Sequence, residues 1–173
     1  QRGALARDPH ASAGVGTGGM ATKLMAARSA GEAGCATLIA AGRAKKRGAQ
    51  TIEEGRKCTL IAPSTTVRAA YKQWIGGSLA VRGQIVIDGG CFKALGRGKS
   101  LLAAGVVTAN GSFEKGDPVE ILDETGAEIA RGLVRYDAAD VTTIAGLRSP
   151  QIKAALGYAG GPVVVHADDL ALR

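Results

Sequence analysis

Residues 14–23 of the chain have the sequence GVGTGGMATK. Four glycines in its first six positions allow the backbone to turn tightly and to approach a ligand closely. The apolar residues that follow, from Met20 to about Ala33, recur with the spacing of a helix face. A glycine loop that opens a helix directs free backbone N–H groups and the positive end of the helix dipole at one point, which favours a phosphate. Lys23 can direct its ammonium group to the same point, so the stretch predicts a nucleotide-phosphate site.

Two other phosphate motifs are excluded by their surroundings. The glycines of residues 14–19 satisfy the G-x-G-x-x-G dinucleotide fingerprint, but the loop-like residues 8–13 stand where a buried strand is required. Residues 98–100 (Gly-Lys-Ser) resemble the end of a Walker A loop, but Lys93 occupies the position of its first glycine. For the glycine run itself, composition alone leaves a flexible surface loop as an equal alternative.

Motifs along most of the chain carry a family resemblance. They are TGGMATKL (17–24), LIAAG (38–42), KQWI (72–75), GQIVID (83–88), GKSLL (98–102), GDPV (116–119), ARGLV (130–134) and LGY (156–158). From about residue 16 onward the sequence resembles the amino acid kinase superfamily, and within it the glutamate 5-kinase family most closely. The first motif is shared with sister kinases, whereas the later motifs single out glutamate 5-kinase.

The resemblance implies an α/β fold followed by a small, mainly β barrel. Residues 1–76 would be the C-terminal part of an amino acid kinase domain that carries the ATP-binding loop, and residues 80–173 would be a PUA domain. In the family this loop lies late in the kinase domain, so we expect the sequence to be the C-terminal portion of a longer enzyme. The portion alone is expected to be inactive.

Periodicity and breaker residues predict the same organisation independently. A Gly-Gly-Ser linker is predicted at 76–78, and short strands separated by turns follow it, as in small barrels. Asp123 to Gly126 is predicted to be a hairpin turn. The predicted strands are 36–41, 58–62, 84–87, 105–109, 118–122, 128–134 and 162–166, and the predicted helices are 20–33, 51–55, 67–75, 138–145 and 149–156.

The resemblance also implies an activity: transfer of the γ-phosphoryl group of ATP to the γ-carboxylate of L-glutamate, the first step of proline biosynthesis, with Mg²⁺ accompanying the nucleotide. Such catalysis consists mostly of positioning and of neutralising charge on the transferred group. We therefore expect Lys23 to be the catalytic cation, although a surface lysine on a helix is an equal alternative without the resemblance. The expected ATP-binding residues are Thr17, Gly18, Gly19, Met20, Ala21, Thr22 and Lys23.

The net charge of +7 is concentrated in the kinase-like part. Residues 1–79 hold twelve Lys and Arg against four Asp and Glu, whereas residues 80–173 hold ten against eleven. Because nucleic-acid binding requires a basic surplus, RNA is not an expected partner of the PUA-like part. An RNA-binding protein and a non-catalytic regulatory module nevertheless stay open as alternatives. The basic run 43–47 follows a predicted strand and can face ATP phosphates or form a solvated loop.

Composition restricts the remaining classes. Apolar residues make up 46% and aromatic residues 3%, so the core must consist mainly of aliphatic side chains. No apolar run approaches the ~20 residues that span a bilayer. Cys35, Cys58 and Cys91 have spacings that fit neither a disulfide framework nor a metal site, and we predict reduced, buried thiols in a cytoplasmic protein without a metal centre. The family resemblance implies a homo-oligomer with proline as a possible feedback inhibitor.

Overall fold

The computed structural model describes residues 19–40, 55 and 57–173. The chain forms two compact units that divide after Ser64. The division into part of a kinase domain at 1–76 and a PUA domain at 80–173 was predicted from the family resemblance, and it stays a prediction. The predicted basic run at 43–47 lies outside the described residues, as does almost all of the predicted helix at 51–55.

The first unit contains one described helix and one antiparallel strand pair. Helix α1 spans Met20–Glu32, strand β1 spans Thr37–Ala40 and strand β2 spans Cys58–Ile61. The backbone N–H and the hydroxyl of Ser64 both donate to the carbonyl of Gly31, at 3.1 and 3.0 Å. These bonds anchor the end of the unit to the last turn of α1, where Gly31 is buried.

The second unit is built on a six-stranded mixed sheet with the strand order β4-β8-β7-β6-β3-β5, in which only the β3–β6 neighbours are parallel. Its strands are β3 Gly83–Ile87, β4 Leu101–Leu102, β5 Val106–Gly111, β6 Pro118–Leu122, β7 Glu128–Val134 and β8 Val163–Leu172. Its helices are α2 Val67–Gly77, α3 Gly89–Gly96, α4 Ala138–Ile144 and α5 Ser149–Leu156, with a 3₁₀ turn at Ala103–Gly105. The predicted mixture of an α/β portion and a small, mainly β unit is confirmed.

The core of the second unit is aliphatic, as the composition requires. Alternate residues of the inner strands are fully buried, which is the pattern of a sheet with one face in the core. Ile85 and Ile87 supply it from β3, and Val119 and Ile121 from β6. Burial of each such side chain contributes about 1.5–3 kcal/mol relative to exposure.

Helix α2 includes the glycines that the sequence predicts to be a linker. Gly76 and Gly77 are its last two residues, so the prediction of a linker at this point is wrong. The helix continues because Ile75 is fully buried within this unit. A Cβ built on Gly76 would lie 3.5 Å from the Cβ of Ala171, so the helix runs close to β8 here. Tertiary packing thus outweighs the low helix propensity of glycine.

Polar contacts hold α2 along β8. The guanidinium of Arg68 donates to the carboxylate of Asp168 at 2.7 Å. The hydroxyl of Tyr71 donates to Asp169 at 3.2 Å. Desolvation, followed by the charge of this carboxylate, raises the pKa of the tyrosine. The Nζ of Lys72 donates to the carbonyl of Ala167 at 3.1 Å. The strand runs past the predicted end at residue 166, because its residues 170–172 pair with β7.

The predicted hairpin turn between β6 and β7 is confirmed. The carboxylate of Asp123 accepts bonds from the backbone N–H and the hydroxyl of Thr125, at 2.9 and 2.6 Å, and from the N–H of Ala127 at 3.0 Å. These bonds stabilise the charged form and lower the pKa of Asp123. Gly126 adopts the positive φ of +86° that the turn requires.

Candidate functional site

The start of helix α1 has the character of an anion site. Its N-cap is Gly19, whose backbone is extended, and no described side chain caps it. By contrast, side-chain oxygens of Thr66, Asp88 and Asp137 cap α2, α3 and α4. The first turn of α1 also contains no acidic residue. Its backbone N–H groups and the positive end of the dipole therefore favour a negatively charged ligand.

Two bonds to one carbonyl organise this first turn. The hydroxyl of Thr22 donates to the carbonyl oxygen of Gly19 at 2.7 Å, and the backbone N–H of Lys23 donates to the same oxygen at 3.4 Å. The Thr22 proton is thus directed at the backbone in this structure. Thr22 is among the expected ATP-binding residues, and its hydroxyl could donate to a phosphate only by exchanging that bond. The backbone of Gly19, Met20 and Ala21 requires no such change.

A cleft of about 390 Å³ opens beside this turn. The register of the strand pair places Ala40 opposite Cys58 and Ile39 opposite Thr59, so the end of β1 meets the start of β2. The described lining consists of Met20, Lys23, Ile39, Ala40, Lys57, Cys58 and Thr59. It includes two lysines and no acidic residue, so the described wall of the cleft is cationic. The volume falls within the range of small-molecule sites, ~300–1,000 Å³.

The structure thus brings part of the predicted site together. Met20 and Lys23 line the cleft, and Gly19, Ala21 and Thr22 form the helix start beside them. Thr17 and Gly18 lie outside the described residues. Sequence reasoning missed Lys57, Cys58 and Thr59. A lysine directly before a strand was the only signal for this group, and its place in the cleft depends on strand pairing across a long connection.

The cysteines differ from the prediction of buried thiols. Cys35 and Cys58 are exposed, and Cys91 is only partly buried. Burial and the nearby Asp88 carboxylate raise the pKa of Cys91 to about 11, so this thiol is protonated at neutral pH. No group of three or more His, Cys, Asp or Glu side chains within the described ranges is arranged to hold a metal ion.

Titratable groups in the second unit have local partners. The Nδ1 of His166 accepts from the backbone N–H of Asp168 at 3.2 Å, which supports a structural role for this histidine. The hydroxyl of Tyr158 donates to Asp140, and this bond is the main cause that raises the pKa of Tyr158 to about 12. No buried side-chain nitrogen or oxygen among the described residues lacks a hydrogen-bond partner.

None of the described helices is long and apolar enough to cross a bilayer.

Comparison with known families identifies a domain within the second unit, which contains the six-stranded sheet. Its residues 83–156 match the PUA domain family. Residues 83–156 form a PUA domain. A crystal structure of a PUA domain from Aeropyrum pernix in complex with tartrate is 27% identical and covers 49% of this chain and 41% of its own, with a TM-score of 0.36.

Beyond the PUA domain, curated relatives match almost the whole chain. The glutamate 5-kinase of Caulobacter vibrioides is 55% identical over 168 residues, which are 97% of this chain and 44% of the relative. That of Dinoroseobacter shibae is 46% identical over 162 residues, or 94% of this chain and 44% of the relative. The predicted resemblance to the glutamate 5-kinase family is confirmed. The chain spans less than half the length of the curated relatives that it matches.

Proposed function

We propose that this chain is part of a glutamate 5-kinase, which transfers the γ-phosphoryl group of ATP to the side-chain carboxylate of L-glutamate. The observation that carries the proposal is the position of Lys23 in the cationic cleft at the start of α1, in a chain 55% identical to a relative named glutamate 5-kinase. The product would be γ-glutamyl phosphate, an intermediate of proline biosynthesis in the cytoplasm.

In the proposed reaction a glutamate carboxylate oxygen attacks the γ-phosphorus, and the bond to the β–γ bridging oxygen breaks to release ADP. The start of α1 would bind phosphate oxygens through backbone N–H groups, with Thr17, Gly18 and Gly19 completing the cradle. Negative charge accumulates on the transferred group and on the leaving oxygen as the reaction proceeds. The Lys23 ammonium would neutralise that charge most strongly in the transition state, which is the condition for a raised rate.

The described lining of the cleft supplies no carboxylate ligand, so these residues do not fit a Mg²⁺ ion held by protein side chains. We propose that Mg²⁺ enters with the nucleotide as a counter-ion of its phosphates. A homo-oligomer and feedback inhibition by proline remain proposals that the family resemblance supports.

The test is a glutamate kinase assay on the full-length protein. ADP release should depend on both ATP and L-glutamate, and hydroxylamine should trap γ-glutamyl phosphate as the hydroxamate. D-Glutamate and L-aspartate serve as acceptor controls. ADP release that does not depend on L-glutamate, or the absence of hydroxamate during turnover, would refute the proposal.

A further inference from the structure

Lys57 lines the same cleft as Lys23, in a position that the motif around Lys23 does not reveal. It directly precedes β2, whose first residue, Cys58, pairs with Ala40 at the end of β1. Lys57 and Lys23 both line the cleft, although 33 intervening residues separate them in sequence. The two lysines therefore approach one space from different elements, the first turn of a helix and the edge of a strand pair.

Electrostatics gives this arrangement a preferred occupant. Lys23 and Lys57 both line the cleft, whose described lining contains no acidic residue, so an anion bound there is attracted to both lysines. Neither lysine forms an ion pair with another residue in the part of the chain that the structure describes. Lysine is a flexible point charge with three donors, so each side chain can follow a different phosphoryl group of one ligand.

We propose that Lys57 is a second phosphate-binding residue and that the Lys23–Lys57 pair makes the cleft selective for nucleoside di- and triphosphates over monophosphates. This inference rests on the proposed function, because it assigns the two lysines to the nucleotide of that reaction. Lys57 binds the polyphosphate chain in the ground state and in the transition state alike, and Lys23 acts on the transferred group.

The division of roles has a kinetic signature. Loss of an interaction that is equally strong in both states raises the KM and leaves kcat nearly unchanged. Loss of one charge-assisted hydrogen bond weakens binding by about tenfold. A lysine that is merely solvated would change neither quantity, and one that only stabilised the fold would lower the melting temperature without discriminating among nucleotides.

The experiment measures binding of ATP, ADP and AMP to the full-length protein by calorimetry, and kcat and KM for ATP in the glutamate assay. Lys57→Ala should weaken ATP and ADP about tenfold and AMP less than twofold, with kcat within about twofold of the wild type. Lys57→Arg should restore most of the affinity. Arg28→Ala is the matched control, because it removes an exposed positive charge from α1 outside the cleft.

The outcomes separate this inference from the proposed function. Equal behaviour of Lys57→Ala and Arg28→Ala, or an equal loss of AMP and ATP affinity, would overturn the role of Lys57 while leaving a glutamate kinase intact. Conversely, a wild-type protein that binds ATP through Lys57 but does not phosphorylate glutamate would contradict the proposed reaction and retain the phosphate-binding role. Failure of the wild type to bind ATP or ADP would overturn both.

Discussion

Ala40 and Cys58 lie opposite each other in the antiparallel pair of β1 and β2. This pairing places Lys57, the neighbour of Cys58, on the cleft that Lys23 reaches from helix α1. This strand register thus brings Lys23 and Lys57, which are far apart in sequence, to the same cleft. The candidate site is consequently sensitive both to the helix start and to the strand pair.

Replacement of Lys23 tests the proposed catalytic cation. In the full-length protein Lys23→Ala should lower kcat by about 100-fold or more, because the lost interaction is strongest in the transition state. The KM for ATP should change by much less. Steady-state kinetics with L-glutamate at saturation measures both, and Arg28→Ala controls for charge. Near-normal turnover of Lys23→Ala would remove this residue from the mechanism.

Truncation of Ile75 tests the packing of α2 in the second unit. Ile75→Ala should lower the free energy of unfolding by about 2–5 kcal/mol, because the side chain is fully buried. Val67→Ala on the same helix should change it by less than about 0.5 kcal/mol, since Val67 is 63% exposed. Urea denaturation of residues 65–173 measures both. Equal, small effects would show that α2 does not pack on the sheet in solution.

The raised pKa of Cys91 predicts selective alkylation. At pH 8.5 a thiol with a pKa of about 11 is thiolate in only about one molecule in 300, and the thiolate is the reactive form. Iodoacetamide should therefore modify the exposed Cys35 and Cys58 well before Cys91. Peptide mass spectrometry over a time course resolves the three sites. Modification of Cys91 at the rate of the other two would contradict its burial.

The Asp123 turn predicts an acid-dependent contribution to stability. Because the pKa of Asp123 is lowered in the folded state, its contribution is present above the unfolded value near ~3.9 and is lost as the pH falls through the folded value. Asp123→Ala should thus lower the melting temperature at pH 7 and have a smaller effect at pH 2. Glu124→Ala, at the neighbouring exposed position, is the control. A pH-independent difference would assign the effect to packing instead.

The charge of the second unit predicts little affinity for RNA. Arg68, Arg131, Arg135 and Arg173 each form an ion pair with a carboxylate, so the cations that would release counterions are partly neutralised. Residues 65–173 titrated with structured RNA at low salt should show no micromolar binding by fluorescence anisotropy. Tight binding that weakens steeply with added salt would instead favour the RNA-binding alternative.

Local sequence signals predicted most of the second unit. The aliphatic runs of β3, β6 and β7 and the Asp123–Gly126 turn carry their structure in residue type and spacing, so their bounds matched closely. The extent of β8 was underestimated because the polar residues from His166 to Asp169 look like a strand end. The partners of Asp168 and Asp169 on α2 lie about one hundred residues earlier, beyond any local pattern.

The candidate site likewise contains residues that the local sequence could indicate and residues that only the tertiary structure brings in. The glycine loop and Lys23 form a contiguous motif, so the sequence could indicate them. Lys57 enters the site only through the pairing of β1 with β2, which depends on tertiary structure. The exposure of Cys35 and Cys58 was missed for a related reason: the general preference of cysteine for the interior does not reveal which segments remain uncovered.

The placement of β8 also sets how the second unit can fold. The backbone N–H of Ala167 in this strand donates to the hydroxyl of Ser100, 67 residues earlier. The carboxylate of Asp168 forms an ion pair with Arg68, 100 residues earlier. Each contact requires closure of a long loop before its free energy is gained. We therefore expect this unit to fold in the slow range of topologies rich in non-local pairing, milliseconds to seconds, rather than in microseconds.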